Sequence, residues 1–316
     1  MERTLHLGET KGNQRFLGLS AAILLALSIL AIAWATAWPA LADQRVAFPS
    51  LDEDLTRAAP TMLDARLYRP DGAGPFPAVV GMHGCGGRDL KTRDAPIGYV
   101  RLWAEKLSAL GYVVLLPDSF RPRGVMEVCT QEKRAVSAYR HRPRDAYGAL
   151  AWLRAQSFVQ AGAVFLIGWS NGGSATLATL RADSFAPLRE RAGGDFRAAV
   201  ALYPGCVTQV KTKWATRTPL MILIGDADDW TPPEPCRELA ARARGNGEPL
   251  ELVLYPGAFH GFDAPDHKPV ERPDVPRAGL NGKGHVTIAA DPAARADAFA
   301  RVPLFFARHG GIKPPE

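Results

Sequence analysis

The stretch "AVFLIGWSNGGSATLATL", residues 163–180, decides the fold. An apolar, β-branched run stops abruptly at Gly-Trp-Ser-Asn-Gly-Gly. Small residues and leucines at helical spacing follow. An ordinary turn needs no serine flanked by glycines on both sides. A strand that hands over to a helix through a very tight corner does need them. Gly168, Ser170 and Gly172 spell G-x-S-x-G in strand–helix context, the pattern that lifts a serine hydroxyl clear of the backbone. Ser170 is therefore the candidate nucleophile; a purely structural small-residue turn is the competing reading.

A serine hydroxyl needs a base, and the base needs an orienting acid. In this architecture they follow the serine in the order acid, then histidine. Both occur downstream, each just past an apolar run. "LIGDADDWTPPEPC" offers Asp226, Asp228 and Asp229, and "LVLYPGAFHGFD" offers His260. Upstream, "VVGMHGCGGRD" ends another apolar run in His83-Gly84-Cys85-Gly86-Gly87. Such a loop can present a backbone N–H to an oxyanion, with the residue after the serine supplying the second. Cys85 and Asn171 are the expected backbone donors. A phosphate loop is the rival, but the Walker lysine and Ser/Thr are missing. His83 and Cys85 could also begin a metal site, yet no further ligands stand at matching spacing.

Around these motifs, short apolar runs alternate with helical patterns. That alternation predicts an α/β fold: a mostly parallel central sheet with helices on both faces. "YVRLWAEKLSALG" reads as an amphipathic helix closed by Gly111. The last helix is expected to start at Asp291-Pro292, run to about Arg308 and bend at Pro303. The Pro- and Gly-rich "FDAPDHKPVERPDVPRAGLNGKGH" reads as a long surface loop. Ligands bind at the C-terminal ends of parallel strands, where all the polar candidates fall.

The N-terminus reads differently. A charged start precedes "AAILLALSILAIAW" and then Pro39-Ala40-Leu41-Ala42. Charged n-region, apolar h-region and A-x-A site give a secretory signal over residues 1–42, cleaved after Ala42. An uncleaved membrane anchor is the alternative, since the stretch could span a bilayer. Residues 43–316 are expected to form one domain, secreted or periplasmic and free of the membrane after cleavage. The 316-residue chain carries a formal charge of +6. Its basic residues are scattered without an aromatic-interleaved stripe, so nucleic acid is not an expected partner.

These motifs together resemble the dienelactone hydrolase family of α/β-hydrolases. The resemblance spans roughly residues 60–308 and rests on "MHGCGG", "LLPDSFRPRG", "RPRDAYGALAWL", "GWSNGG", "YPGC", "GDADDWTPPEPC" and "YPGAFHGFD". It implies the α/β-hydrolase fold, no cofactor, and hydrolysis of a small ester or lactone. It also implies that the first of the paired aspartates, Asp228, is the triad acid. This chain departs from well-known members in having serine instead of cysteine and in looking exported. A peptidase on the same triad, or a non-catalytic binding protein on the same fold, are the alternatives.

Arg121 and Arg123 in "DSFRPRG" sit at another strand end, where a guanidinium fork could take an anionic substrate group. A loop salt bridge is the plainer reading. Trp169, beside the serine, is assigned with them to substrate contact. Finally, export gives four cysteines an oxidising setting. Cys206 and Cys236 follow the ends of consecutive strands, as do Cys85 and Cys129. Disulfides Cys206–Cys236 and Cys85–Cys129 are expected.

Overall fold

The computed structural model describes residues 43–90, 95–265, 268–276 and 283–313. The expected leader, residues 1–42, lies outside the described residues. The described residues cluster as one compact unit. No helix among the described residues is long and apolar enough to cross a membrane.

Among the described residues, eight strands form the central sheet: β1 (Asp43–Pro49), β2 (Met62–Tyr68), β3 (Phe76–Met82), β4 (Val113–Pro117), β5 (Val159–Trp169), β6 (Ala199–Leu202), β7 (Leu220–Gly225) and β8 (Leu250–Tyr255). Their spatial order is β1-β2-β4-β3-β5-β6-β7-β8. From β4 to β8 every pairing is parallel, while β1–β2 and β2–β4 are antiparallel. β3 through β7 read as Val, Leu, Ile and Ala runs because helices cover both faces. Val79, Val80, Leu115, Leu166, Ile167, Val200 and Leu223 are all fully buried. Each such side chain contributes about 1.5–3 kcal/mol by leaving water.

The longer helices among the described residues are α1 (Gly98–Ala109), α2 (His141–Arg154), α3 (Asn171–Thr179), α4 (Ala186–Arg191), α5 (Glu234–Gly245) and α6 (Pro292–Gly310). α1 buries Val100, Trp103, Ala104, Leu107 and Ser108, the spacing of one helical face. Gly111 ends that turn at φ +87°. α6 opens as its sequence predicts: the Asp291 carboxylate accepts from the N–H groups of Ala293 and Ala294, both at 3.0 Å.

Two elements differ from the sequence reading. β1 has a weak apolar signal because it is an edge strand, with Phe48 its one fully covered residue. The Pro- and Gly-rich stretch is not simply a loop. Val270–Pro276 (β9) and Lys283–Ile288 (β10) pair antiparallel as a second, two-stranded sheet. Pro273 falls at a register irregularity, where a missing N–H interrupts no ladder. That ribbon packs Val275 and Val286 into a small core with Cys85, Phe120, Val128, Cys129 and Trp230.

Candidate active site

The serine sits at the corner between β5 and α3. Its backbone is held at φ 53°, ψ −115°, a conformation a non-glycine residue adopts only under constraint. The flanking glycines are steric requirements. A Cβ on Gly172 would lie 1.8 Å from Met82 O, and one on Gly168 would lie 2.3 Å from Gly172 O. The corner closes only because neither residue has a side chain.

His260 lies just past β8, and its Nε2 stands 2.9 Å from Ser170 Oγ. Its Nδ1 stands 2.9 Å from Asp228 Oδ2. A carboxylate only accepts, so Nδ1 carries the proton and Nε2 is free to accept from the serine. Asp228 and His260 are both almost completely buried. The imidazole is flanked by the rings of Tyr203 at 4.6 Å and Trp230 at 4.8 Å.

The three aspartates left open by the sequence do three different jobs. Asp228 faces His260. Asp226 accepts from Gly257 N at 2.6 Å, on the turn that leads to the histidine. Asp229 turns to Thr287 of β10, accepting from its N at 2.8 Å and its Oγ1 at 3.1 Å. Asp228 is held in turn by the N–H groups of Trp230 at 3.0 Å and Thr231 at 2.8 Å. The Thr231 hydroxyl lies 2.9 Å from Asp228 Oδ2, 3.1 Å from Tyr203 O and 3.1 Å from His260 Nδ1. Thr231 and Tyr203 are absent from the sequence reading. Thr231 had a signal, since an aspartate three residues before a threonine often builds an Asx turn. Tyr203 had none: its strain, φ 38°, is visible only in the backbone.

On the other side, the His83–Gly87 loop abuts Ser170. The Cβ position of Gly84 lies 3.7 Å from Ser170 Cβ. Gly84 N donates to Tyr99 Oη at 3.1 Å, which leaves Cys85 N as the next amide along the loop. Asn171 is the first residue of α3, so its N–H has no partner four residues back in the helix. His83 is wholly buried, with Nδ1 2.8 Å from Gly84 O and Nε2 accepting from Ser119 N at 3.2 Å. Burial holds its pKa well below the usual histidine range, so it is a neutral brace for the loop. Both its nitrogens are occupied and Cys85 is disulfide-bonded, so the metal reading does not fit this geometry.

Both expected disulfides are present, Cys85–Cys129 and Cys206–Cys236, with Cα separations of 4.8 and 5.1 Å. The assignments to substrate contact fare differently. Arg123 is bound by Asp145 at 2.7 Å and Asp52 at 2.8 Å. Arg121 pairs with Asp89 at 3.0 Å and donates to Leu90 O at 3.0 Å. Both guanidiniums are spent on carboxylates of their own chain, as the plainer reading had it. Trp169 is 1 % exposed and packs on Tyr99 and Trp103 inside the core, because alternation along β5 points it away from the corner.

A cleft of 380 Å³ opens over the serine, lined by Arg134, Tyr139, Asn171, Trp230, Thr231 and Pro276 among others. Its lining holds the cation Arg134 and the carboxylate Glu132, and neither Arg121 nor Arg123. Burial lowers the pKa of Arg134, and Tyr139 and Glu127 offset part of that through space. A larger cavity of 480 Å³ lies at the opposite ends of the strands, beside Gly162, Arg197 and Arg217. It contains none of the reactive groups, so size is a poor guide here.

Comparisons with known proteins bear on the family and the fold. Residues 63–310 match the model of the dienelactone hydrolase family. Among solved structures, one from Klebsiella pneumoniae described as a dienelactone hydrolase superposes with a TM-score of 0.57 at 18% identity, covering 84% of this chain and 99% of that one. Thermogutta terrifontis esterase 2, phosphorylated by paraoxon, gives 0.58 at 18% identity, covering 86% and 96%. Dipeptidyl peptidase 4 of Porphyromonas gingivalis gives 0.50 at 17% identity, covering 70% of this chain and 32% of that one. Likeness at such identities speaks to the fold alone.

Proposed function

The chain belongs to the dienelactone hydrolase family, and from that premise we propose that it hydrolyses carboxylic esters or lactones through an acyl-enzyme on Ser170. The observation that carries the reading is the unbroken chain Ser170 Oγ–His260 Nε2 and His260 Nδ1–Asp228 Oδ2, both links at 2.9 Å.

His260 takes the serine proton as Oγ attacks the carbonyl carbon. Asp228 holds the tautomer and stabilises the imidazolium that forms. The oxyanion is met by the amides of Cys85 and Asn171; removing one such donor typically costs about 3 kcal/mol of barrier. The imidazolium then protonates the leaving alkoxide. Water, deprotonated by His260, releases the acid and restores the serine. Arg134 gives the cleft a preference for substrates with a carboxylate or other polar substituent.

The signal read over residues 1–42 and the two disulfides together support an exported enzyme. N-terminal sequencing of the exported protein tests cleavage after Ala42.

The decisive experiment is labelling with a fluorophosphonate, followed by a screen of p-nitrophenyl esters and lactones. An adduct on Ser170 with ester turnover is expected. A folded protein that takes no label favours a binding module; amide turnover exceeding ester turnover favours a peptidase.

A further inference from the structure

Arg142 lies in the first turn of α2, against Asn171, the residue that follows Ser170, and is completely buried. Its Nη1 donates to Asn171 Oδ1 at 2.7 Å, while Nε and Nη2 find no hydrogen-bond partner among the described residues. The guanidinium lies over the Phe120 ring at 5.3 Å. Phe120 in turn meets the His83 ring edge-on at 4.6 Å. One side chain is therefore linked to both sides of the proposed oxyanion site. It reaches Asn171 directly, and it reaches the His83–Cys85 loop through one ring.

The nearest carboxylate in sequence, Asp145, is already taken. Its oxygens accept from Ser50 at 2.6 Å and from Arg123 at 2.7 and 3.0 Å. Arg142 is thus a buried cation with an amide oxygen and an aromatic face instead of an ion pair. Burial pulls its pKa down to about 10, which leaves it protonated at neutral pH. Removing an unpaired cation from water costs several kcal/mol. An apolar side chain of similar length could fill the same space without that cost. Charge is useful here in one respect: in a dry site, a fixed cation near a developing oxyanion acts with little screening.

We propose that Arg142 is a positioning residue for the oxyanion site, holding Asn171 so that its backbone N–H faces the reacting carbonyl and placing a buried positive charge behind that amide. The proposal rests on the serine-hydrolase reading above.

The test compares wild type with Arg142→Met, Arg142→Lys and Asn171→Ala. The readouts are kcat and KM on p-nitrophenyl acetate and the rate of fluorophosphonate labelling at Ser170. In Arg142→Met, kcat and the labelling rate should fall about 30-fold, while KM stays within about twofold, since the interaction serves the transition state. Arg142→Lys should recover part of the loss, as charge without the fork. Asn171→Ala keeps the backbone amide but removes the oxygen that Arg142 holds, so it should reproduce part of the kcat loss. It also keeps the proposal testable should Arg142→Met not fold. A wild-type protein that labels, with Asn171→Ala and the folded Arg142 variants matching it in kcat and labelling rate, overturns the proposal alone. A wild-type protein that neither labels nor turns over ester overturns the hydrolase reading and this proposal with it.

Discussion

The two walls of the cleft are each fastened by a disulfide, but the fastenings differ in kind. On the acid wall, Cys206–Cys236 ties the loop after β6 to α5, and Asp228 lies between them in sequence. Its carboxylate is held by the Trp230 and Thr231 amides and by the Thr231 hydroxyl. On the oxyanion wall, Cys85 is both the crosslinked residue and the proposed donor. Its own carbonyl accepts from Val128 N at 2.8 Å, so backbone and side chain are pinned to the same neighbouring loop. A crosslink near a well-bonded catalytic group mainly limits the unfolded chain. A crosslink on the residue proposed to supply an oxyanion amide also fixes geometry in the folded state.

The largest effects should come from the proposed triad between the two walls. Ser170→Ala should lower kcat by roughly five orders of magnitude or more, and Asp228→Asn by roughly four. Asp226→Asn and Asp229→Asn, whose carboxylates brace other loops, should stay within about tenfold of wild type. Steady-state kinetics on a p-nitrophenyl ester separates them, and a larger loss in Asp226→Asn would move the acid off the wall assigned to it.

The disulfides test the comparison directly. Replacing Cys206 and Cys236 by alanine together should cost about 3–4 kcal/mol in the chain-entropy model. At this chain size that is a Tm lower by roughly 10 °C, with kcat within about threefold. Replacing Cys85 and Cys129 by alanine should cost a similar amount of stability and also lower kcat about tenfold at unchanged KM. Calorimetry and kinetics on the same preparations decide it; equal kcat in both pairs would remove the distinction between the walls.

Thr231→Ala should reduce kcat about tenfold, since the backbone amides still hold Asp228. A loss as large as that of Asp228→Asn would mean that the hydroxyl, not the amides, orients the acid. The smallest effect concerns selectivity. Arg134→Ala should raise KM for a carboxylate-bearing ester about tenfold relative to a neutral one. Arg121→Ala and Arg123→Ala should leave that ratio unchanged, because their guanidiniums are paired within the protein. A ratio that moves with Arg121 instead would return the anion to the loop named from sequence.

What the sequence determined by itself was local or periodic. Glycines at 168 and 172 announce a corner where a Cβ cannot fit, so Ser170 could be named from five letters. The apolar runs carried the parallel sheet, and strand ends that are neighbours in such a sheet carried both cysteine pairs. Asp291 before Pro292 announced the cap it forms. What only the tertiary structure decided was the partnering of groups distant in sequence. Asp226, Asp228 and Asp229 are chemically alike, and their three roles follow from which of Gly257, His260 and Thr287 each one meets. Arg121 and Arg123 lost a substrate role because Asp89, Asp52 and Asp145 reach them first. The β9–β10 ribbon escaped because its prolines read as loop, whereas a bulge accommodates Pro273 and the ribbon's apolar side is covered only once Trp230 and the Cys85–Cys129 bridge are in place. Arg142 was one more basic residue in a helical stretch; its burial beneath Asn171 exists only when α2 and α3 pack together. Side-chain spacing encodes what a segment becomes, but hydrogen-bond partners are settled by proximity, and proximity across tens of residues is a property of the folded chain.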